Sequence, residues 1–333
     1  MVVQTTRGQD DVGSKKVKKG DDRRIMENFS IYRFMKLGIV HFKAFPEVTE
    51  GEGPIIETLK RIVQDDFWTA VEVGWIRDVK VRHEARKLLE VSHMEVCYAT
   101  QPIVLTNKLN LNAFEPNERK KAIRGVQNGI DQAFDLGASA VRVLSGKDPG
   151  DEKREEAKKV LIDSLREICD YAQEQGEIGI YLKIFDRDID KECLIGHFKD
   201  AADVVKEVHK EFKNFGVLAD LSHFPLLRER PEDAIPLVKS FPLHFHLGNC
   251  VMRDRRHPAY GDLQPRFGIP DGEVDTPQVR DYFKLLLDLD LLKPEKKPVV
   301  SVEVRPLLAE EYSEAIIANA KRVIKEAWSS LEG

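Results

Sequence analysis

Cysteine is scarce: the 333 residues hold four, Cys97, Cys169, Cys193 and Cys250, with no C-x-x-C pair among them. That spacing builds neither a zinc knuckle nor a disulfide framework, so reduced thiols in a cytoplasmic protein are the plain expectation. Long apolar runs are missing too. No stretch approaches the roughly 18 to 20 apolar residues that cross a bilayer, and the N-terminus has no apolar segment of the secretory type, so neither membrane insertion nor export is expected. Nor is there an excess of positive charge, since 52 Lys and Arg against 57 Asp and Glu leave a formal net charge of -5. Without a basic field to hold a phosphate backbone, nucleic acid is disfavoured as a partner and a small molecule fits better. The first apolar run is not followed by G-x-G-x-x-G, which removes the main sign of an open dinucleotide-binding sheet.

What is present is enough apolar material, 42% of the chain, to bury the core of one large α/β domain or two ordinary ones. Residues 1–34 are polar and charged and read as a disordered tail. Its KKVKK cluster, residues 15–19, reads as solvated, with contact to an acidic surface or a nuclear import receptor as the rarer use. A single domain is expected over 35–333. There, apolar runs at 35–42, 68–76, 94–105, 139–146, 178–185, 215–223, 242–249 and 298–306 alternate with amphipathic stretches. One such stretch places Ile123, Val126, Ile130, Ala133 and Phe134 at helical spacing and stops at Gly137; others stop at Gly176 or close the chain. Eight strands each followed by a helix are the pattern of a (β/α)8 TIM barrel.

Side chains alternate across a strand, so one parity faces the barrel interior and the other the helices. In the late strands Ile180, Leu182 and Ile184, and likewise Val300, Val302 and Val304, suit the helix side. The polar parity then gathers Glu72, Gln101, Arg142, Lys183, Asp220, His244, His246, Glu303 and Arg305 toward one mouth. Lys183 is the sharpest case, because an ammonium inside IGIYLKIFD is costly to bury without a negative partner. Asp220 and Glu303 would supply one. So many polar groups at the C-terminal ends of barrel strands read as a site. Asp220, His246 and Glu303 are moreover ligand types for a divalent cation that keeps positions open for substrate.

The segments VLADLSHFPLL, FHLGNCVMRDRRHPAYGDLQPRFGIPDGEVD and VSVEVRP, in that order on the last three strands, resemble the sugar phosphate isomerase/epimerase group of the xylose isomerase-like TIM barrels. In that group manganese, magnesium, cobalt or zinc is held by Glu, Asp, His and Glu from four strand ends and orients a sugar hydroxyl and carbonyl, while a proton moves through an enediolate. The resemblance implies Asp220, His246 and Glu303 as metal ligands, Glu303 also as the proton-abstracting group, a sugar, sugar phosphate or related polyol as substrate, and a homodimer as the usual assembly. Two positions depart from the pattern. Lys183 stands where the first glutamate ligand falls, and Gln264 stands where a histidine is expected.

A protonated lysine cannot ligate a cation, so three arrangements are open: Lys183 takes the metal's place, the metal persists on three protein ligands and water, or Asp186 substitutes as a ligand. In the first, Lys183 is itself catalytic, as a fixed charge on an enediolate oxygen or, with a lowered pKa, as a Schiff-base amine. His41, Glu72, His223, Arg253, His257 and Arg305 are expected to contact substrate. A catalytically silent barrel that binds a ligand or partner is the alternative, with Lys183 as its main support. An abasic-site nuclease on the same barrel would need more zinc ligands than this pattern supplies.

Overall fold

The computed structural model describes residues 30–332. Of the expected tail, residues 1–29 lie outside the described residues. Residues 30–34, grouped with it on composition, instead join the domain: Ile31–Arg33 form a 3-10 turn, the Tyr32 hydroxyl donates to the Phe67 carbonyl at 3.0 Å, and Phe34 is buried.

The eight strands are β1 (Lys36–Val40), β2 (Ala70–Val73), β3 (Glu95–Ala99), β4 (Ala140–Leu144), β5 (Gly179–Lys183), β6 (Phe215–Asp220), β7 (Leu243–Gly248) and β8 (Val299–Glu303). They pair in parallel in sequence order, and β8 closes on β1. The crossovers carry helices α1 (Ile55–Val63), α2 (Val79–Ser92), α3 (Pro116–Leu136), α4 (Arg154–Gln175), α5 (Phe198–His209), α6 (Pro231–Val238) and α7 (Thr276–Asp288), and α8 (Ser313–Ser329) follows β8. The fold is a (β/α)8 TIM barrel.

Local chemistry sets the boundaries. The Asp78 carboxylate caps α2 by accepting from the backbone N–H groups of Lys80 and Val81. Pro116 opens α3 where its missing N–H costs nothing, and Gly137 ends it with φ 71°, a left-handed conformation that a side chain would strain. Ile180, Leu182, Ile184, Val300, Val302 and Val304 are fully buried in the apolar layer under the helices, as their parity requires. Inside, the barrel is tight: a Cβ on Gly38 would sit 2.3 Å from Ser301 Oγ of the neighbouring strand.

Several runs are shorter as strands than their hydrophobicity suggests. Residues 94–105 divide into β3 and a short helix, Gln101–Thr106, because Pro102 has no N–H for a sheet ladder yet suits a first helical turn. The run at 35–42 likewise ends at Val40 and turns into a helix at His41–Ala44, and the run at 215–223 ends at Asp220 before a helix at His223–Leu227. Each truncation places a polar residue just past a strand end, on the rim. All four cysteines are buried and unpaired.

Candidate active site

A cavity of about 200 Å³ opens at the C-terminal ends of the strands. Its centre is Lys183, the last residue of β5, which is 1% exposed. The ammonium donates to Glu303 Oε2 at 2.6 Å and lies 3.0 Å from Asp220 Oδ2. From β7, His246 brings Nδ1 to 2.8 Å from Glu303 Oε2 and 3.6 Å from Asp220 Oδ2. Lys43, on the helix after β1, reaches the other Glu303 oxygen at 2.9 Å. Four strand ends therefore bring Lys183, Asp220, His246 and Glu303 together.

Burial would drive the Lys183 ammonium toward the neutral amine, but the Glu303 and Asp220 charges outweigh it and hold the pKa above the ordinary lysine value. Burial also opposes ionisation of the two acids. Lys183, with His223 beside Asp220 and Lys43 beside Glu303, nevertheless holds both carboxylates below their usual range. The cluster is a fixed array of charges at neutral pH.

Next to it lies a second array. Glu72 at the centre of β2's C-terminal half is fully buried, ion-paired to Arg142 of β4, and 2.6 Å from His244 Nε2. Burial, reinforced by Arg142, lowers the His244 pKa well below its ordinary value, so the ring is neutral and its Nε2–H donates to Glu72. His246 joins the two arrays, its Nε2 lying 3.0 and 3.1 Å from the Glu72 oxygens.

The other expected contacts sort by place. Glu72 and Arg305 line the cavity. His223 stands behind it, with Nε2 3.2 Å from Asp262 Oδ1 and 3.7 Å from Asp220 Oδ2. His41 is not brought to the lining: it is buried against Thr58 of α1 at 2.8 Å, and burial pushes its pKa down to about 3. Arg253 points to Glu273 at 3.7 Å with its side chain 70% exposed, and His257 Nδ1 accepts from the Ala259 N–H within its own loop. Neither lines the cavity. Asp186 is taken up by the backbone N–H groups of Ile189, Asp190 and Lys191 at 2.7, 2.6 and 2.9 Å, so it anchors the loop after β5 and is not at hand as a substitute ligand.

Three charged lining residues escaped the strand-parity argument. Lys43 and Lys191 sit on elements beyond the strand ends, where parity says nothing. Asp262 lies in the H-P-A-Y-G-D stretch of the β7 loop, so the motif that carried the family resemblance held its signal. Gln264, the departure two residues later, donates from Nε2 to Asp262 Oδ1 at 2.8 Å and to Ser222 Oγ at 2.9 Å.

Among the described residues two groups have metal-ligand chemistry, Asp220 with His246 and Glu303, and Glu72 with His244 and His246. Each already holds a cationic side chain. The oxygens that a metal would need from Asp220 and Glu303 are those that face Lys183, and Glu72 is paired to Arg142. At an effective dielectric of about 20, a divalent ion and an ammonium roughly 4 Å apart repel by about 8 kcal/mol before other charges act. The residues as arranged do not fit a resident divalent cation while Lys183 is protonated.

The sequence matches the family model described as xylose isomerase-like TIM barrel over residues 62–262. No curated protein matches it. Among solved structures, an IOLI protein with a bound zinc atom superposes with a TM-score of 0.67 at 17% identity, covering 89% of this chain and 99% of that one. The D-psicose 3-epimerase of Clostridium cellulolyticum H10, solved with D-tagatose, gives 0.58 at 17% identity over 89% of this chain and 97% of that one. An AP endonuclease of family 2 from Brucella melitensis gives 0.62 at 18% identity over 85% and 97%. At such identities the structures speak for the fold, and the family model, matching well over half of the sequence, for the lineage. The chain belongs to the xylose isomerase-like TIM barrel family.

Proposed function

We propose that the chain isomerises or epimerises a sugar or related polyol carbonyl compound by moving a proton next to the carbonyl, with the Lys183 ammonium as the cation at the reaction centre. One observation carries this: Lys183 sits between Asp220 and Glu303 at 3.0 and 2.6 Å, on the floor of the cavity at the catalytic face of the barrel. The sugar epimerases among similar folds support the reaction class.

In this reading Glu303 removes the proton and Lys183 stabilises the enediolate oxygen that forms. Glu303 by itself is a weak base, because burial is overcome by Lys183 and Lys43 and its pKa is held well below the usual range. Substrate binding relieves that. As Lys183 shifts its hydrogen bonds to the substrate oxygen, Glu303 loses its nearest counter-charge and gains basicity where the proton is to be taken. A raised lysine pKa also favours electrostatic stabilisation over a Schiff base, which needs the free amine. The same depressed Glu303 favours a second reading, a barrel that binds its ligand without turnover.

Solvent exchange separates the two. Incubation of the full chain with D-psicose, D-tagatose or L-ribulose in D2O, followed by NMR, should show deuterium entering the carbon next to the carbonyl, and the exchange should survive EDTA. Elemental analysis should find no stoichiometric metal in the purified protein, whereas K183E, which adds a third carboxylate and so a fourth ligand, should gain about one divalent ion. Stoichiometric metal removed by EDTA together with exchange would overturn the lysine reading. Ligand protection against unfolding with no exchange at all would favour the silent barrel.

A further inference from the structure

Apart from the cavity at the barrel mouth, an open groove of about 660 Å³ runs along the outer side of α3. The short helix Gln101–Thr106 stands between the two: Pro102 and Leu105 line the cavity, whereas Ile103 lines the groove. Gly125 of α3 sets the groove's floor. A Cβ there would lie 2.4 Å from Leu109 Cδ1, so its absence lets Leu109 close against the helix and, with Ile103, form an apolar base.

The groove's charge has one sign. Lys120, Lys121 and Arg124 line it exposed, no carboxylate lines it, and none of the three has an ion pair among the described residues. Of the three acids of α3, Asp131 accepts from the Tyr171 hydroxyl at 2.6 Å, Asp135 pairs with Arg82 at 2.9 Å, and Glu118 is not in the lining. In a chain of net charge -5 this is a local reversal that draws anions at short range. Polar groups are available as well. The Asn128 side chain has no hydrogen bond among the described residues, and Gln132 uses only its carbonyl, on the Ile76 N–H at 2.9 Å and the Tyr98 hydroxyl at 3.3 Å, which leaves its amide donors open. Asn117, Lys121, Arg124, Asn128 and Gln132 recur at steps of three and four, making one ridge about 22 Å long. A single phosphate would cover one end of it, whereas roughly seven residues of extended chain, at ~3.3 Å each, span it. Single-stranded nucleic acid needs open aromatic faces on which to stack its bases. Trp75, the aromatic in the lining, is already engaged: Arg77 lies over its ring at 4.3 Å, and its Nε1 donates to the Thr49 carbonyl at 2.9 Å.

We propose that this groove is the docking site for an extended acidic segment of a partner protein. Carboxylates of the segment meet Lys120, Lys121 and Arg124, its backbone meets the amides of Asn128 and Gln132, and its apolar side chains rest on Ile103 and Leu109. The surface lies outside the cavity, so it stands or falls independently of the reaction proposed above.

Fluorescence anisotropy with the full chain tests it, using the labelled heptapeptide DELDEIE beside its amide form NQLNQIQ, its apolar-free form DESDESE, and an oligothymidylate. DELDEIE should bind about tenfold or more tightly than NQLNQIQ and severalfold more tightly than DESDESE, with affinity falling as salt rises. The triple variant K120E/K121E/R124E should abolish binding. R124Q, a milder change at an exposed position, should weaken it severalfold and so separates lost contact from lost fold. K296E/K297E, equally exposed in the loop before β8, should leave it intact. No binding of DELDEIE, or a loss in K296E/K297E as large as in the triple variant, would overturn the proposal. Equal affinities for DELDEIE and DESDESE would do so too, by showing charge attraction without a groove. Tighter binding of the oligothymidylate, weakened by R124Q, would overturn it in favour of a nucleic acid.

Discussion

The barrel holds lysine–carboxylate pairs at both ends of its strands, and they differ in surroundings more than in chemistry. At the N-terminal end, Lys36 and Glu95, the first residues of β1 and β3, pair at 2.5 Å with side chains 41% and 24% exposed. At the C-terminal end, Lys183 pairs with Asp220 and Glu303 at 3.0 and 2.6 Å with exposures of 1%, 1% and 4%. A solvated pair forms and breaks with little change in free energy, whereas a buried one must recover the desolvation of every charge in it. An apolar residue at 183 would suit the strand around it. Stability alone does not explain the buried cluster, whereas the proposed chemistry at the mouth would.

The largest effect expected from this contrast is at Lys183. K183M leaves Asp220 without its main counter-charge, while Glu303 keeps Lys43, and unpairing a buried ion cluster costs about 3–5 kcal/mol. Denaturant unfolding at neutral pH should show a loss of that size, and the D2O exchange should cease. The pH dependence should change sense as well. In the wild-type protein both carboxylates have depressed pKa values, so their contribution is present above about pH 4 and fades as pH falls through the folded values. Without the lysine, burial raises Asp220, and its contribution in the variant should instead be lost as pH rises above about 4. A variant whose profile parallels the wild type would mean that the ammonium is not what keeps Asp220 charged.

Acidification of the wild-type protein should produce an intermediate effect in two stages. His41, neutral in the fold with a pKa of about 3, and His244, also lowered, bind protons more readily unfolded. Stability should therefore fall below about pH 6.5, by at most ~1.4 kcal/mol per pH unit for each such group. His223 works the other way: despite burial, Asp220 and Asp262 raise its pKa, so its contribution is present below about 6.5 and is lost as pH rises through the folded value. Only below about pH 4 do the carboxylates around Lys183 add their loss. H41Q should flatten the first stage and leave the second. A single acid transition unchanged by H41Q would refute the assignment.

Most of this site was legible in the sequence because it lies on strands, where alternation is rigid. The aliphatic parity of β5 and β8 assigned Lys183 and Glu303 to the interior, and the same rule served Glu72, Arg142, Asp220 and His246. Beyond the last strand residue that rule has no hold. His41, one residue past β1, turns outward to Thr58, while Lys43, two residues further on, turns inward to Glu303. Arg253 and His257 looked like site residues in the long loop after β7, yet it was Asp262 in the same loop that reached the cavity. Loop geometry depends on tertiary contacts that no short period in the sequence encodes.

The smallest expected effect closes the comparison. K36M removes the partner of Glu95, but that carboxylate keeps the Ser139 hydroxyl and its own share of solvent. Burial raises the Glu95 pKa only against the stronger pull of Lys36 and Ser139, which leave it lowered. Its contribution is accordingly present above about pH 4 and lost as pH falls through the folded value. Solvent screens the pair, so the loss in K36M should be no more than about 1 kcal/mol, and should shrink further at high salt. Exchange into substrate should be unchanged, since Lys36 and Glu95 stand at the end of the barrel opposite the Lys183 cluster. Equal destabilisation in K36M and K183M, measured in the same buffer, would show that depth in the barrel is not what distinguishes the two lysines.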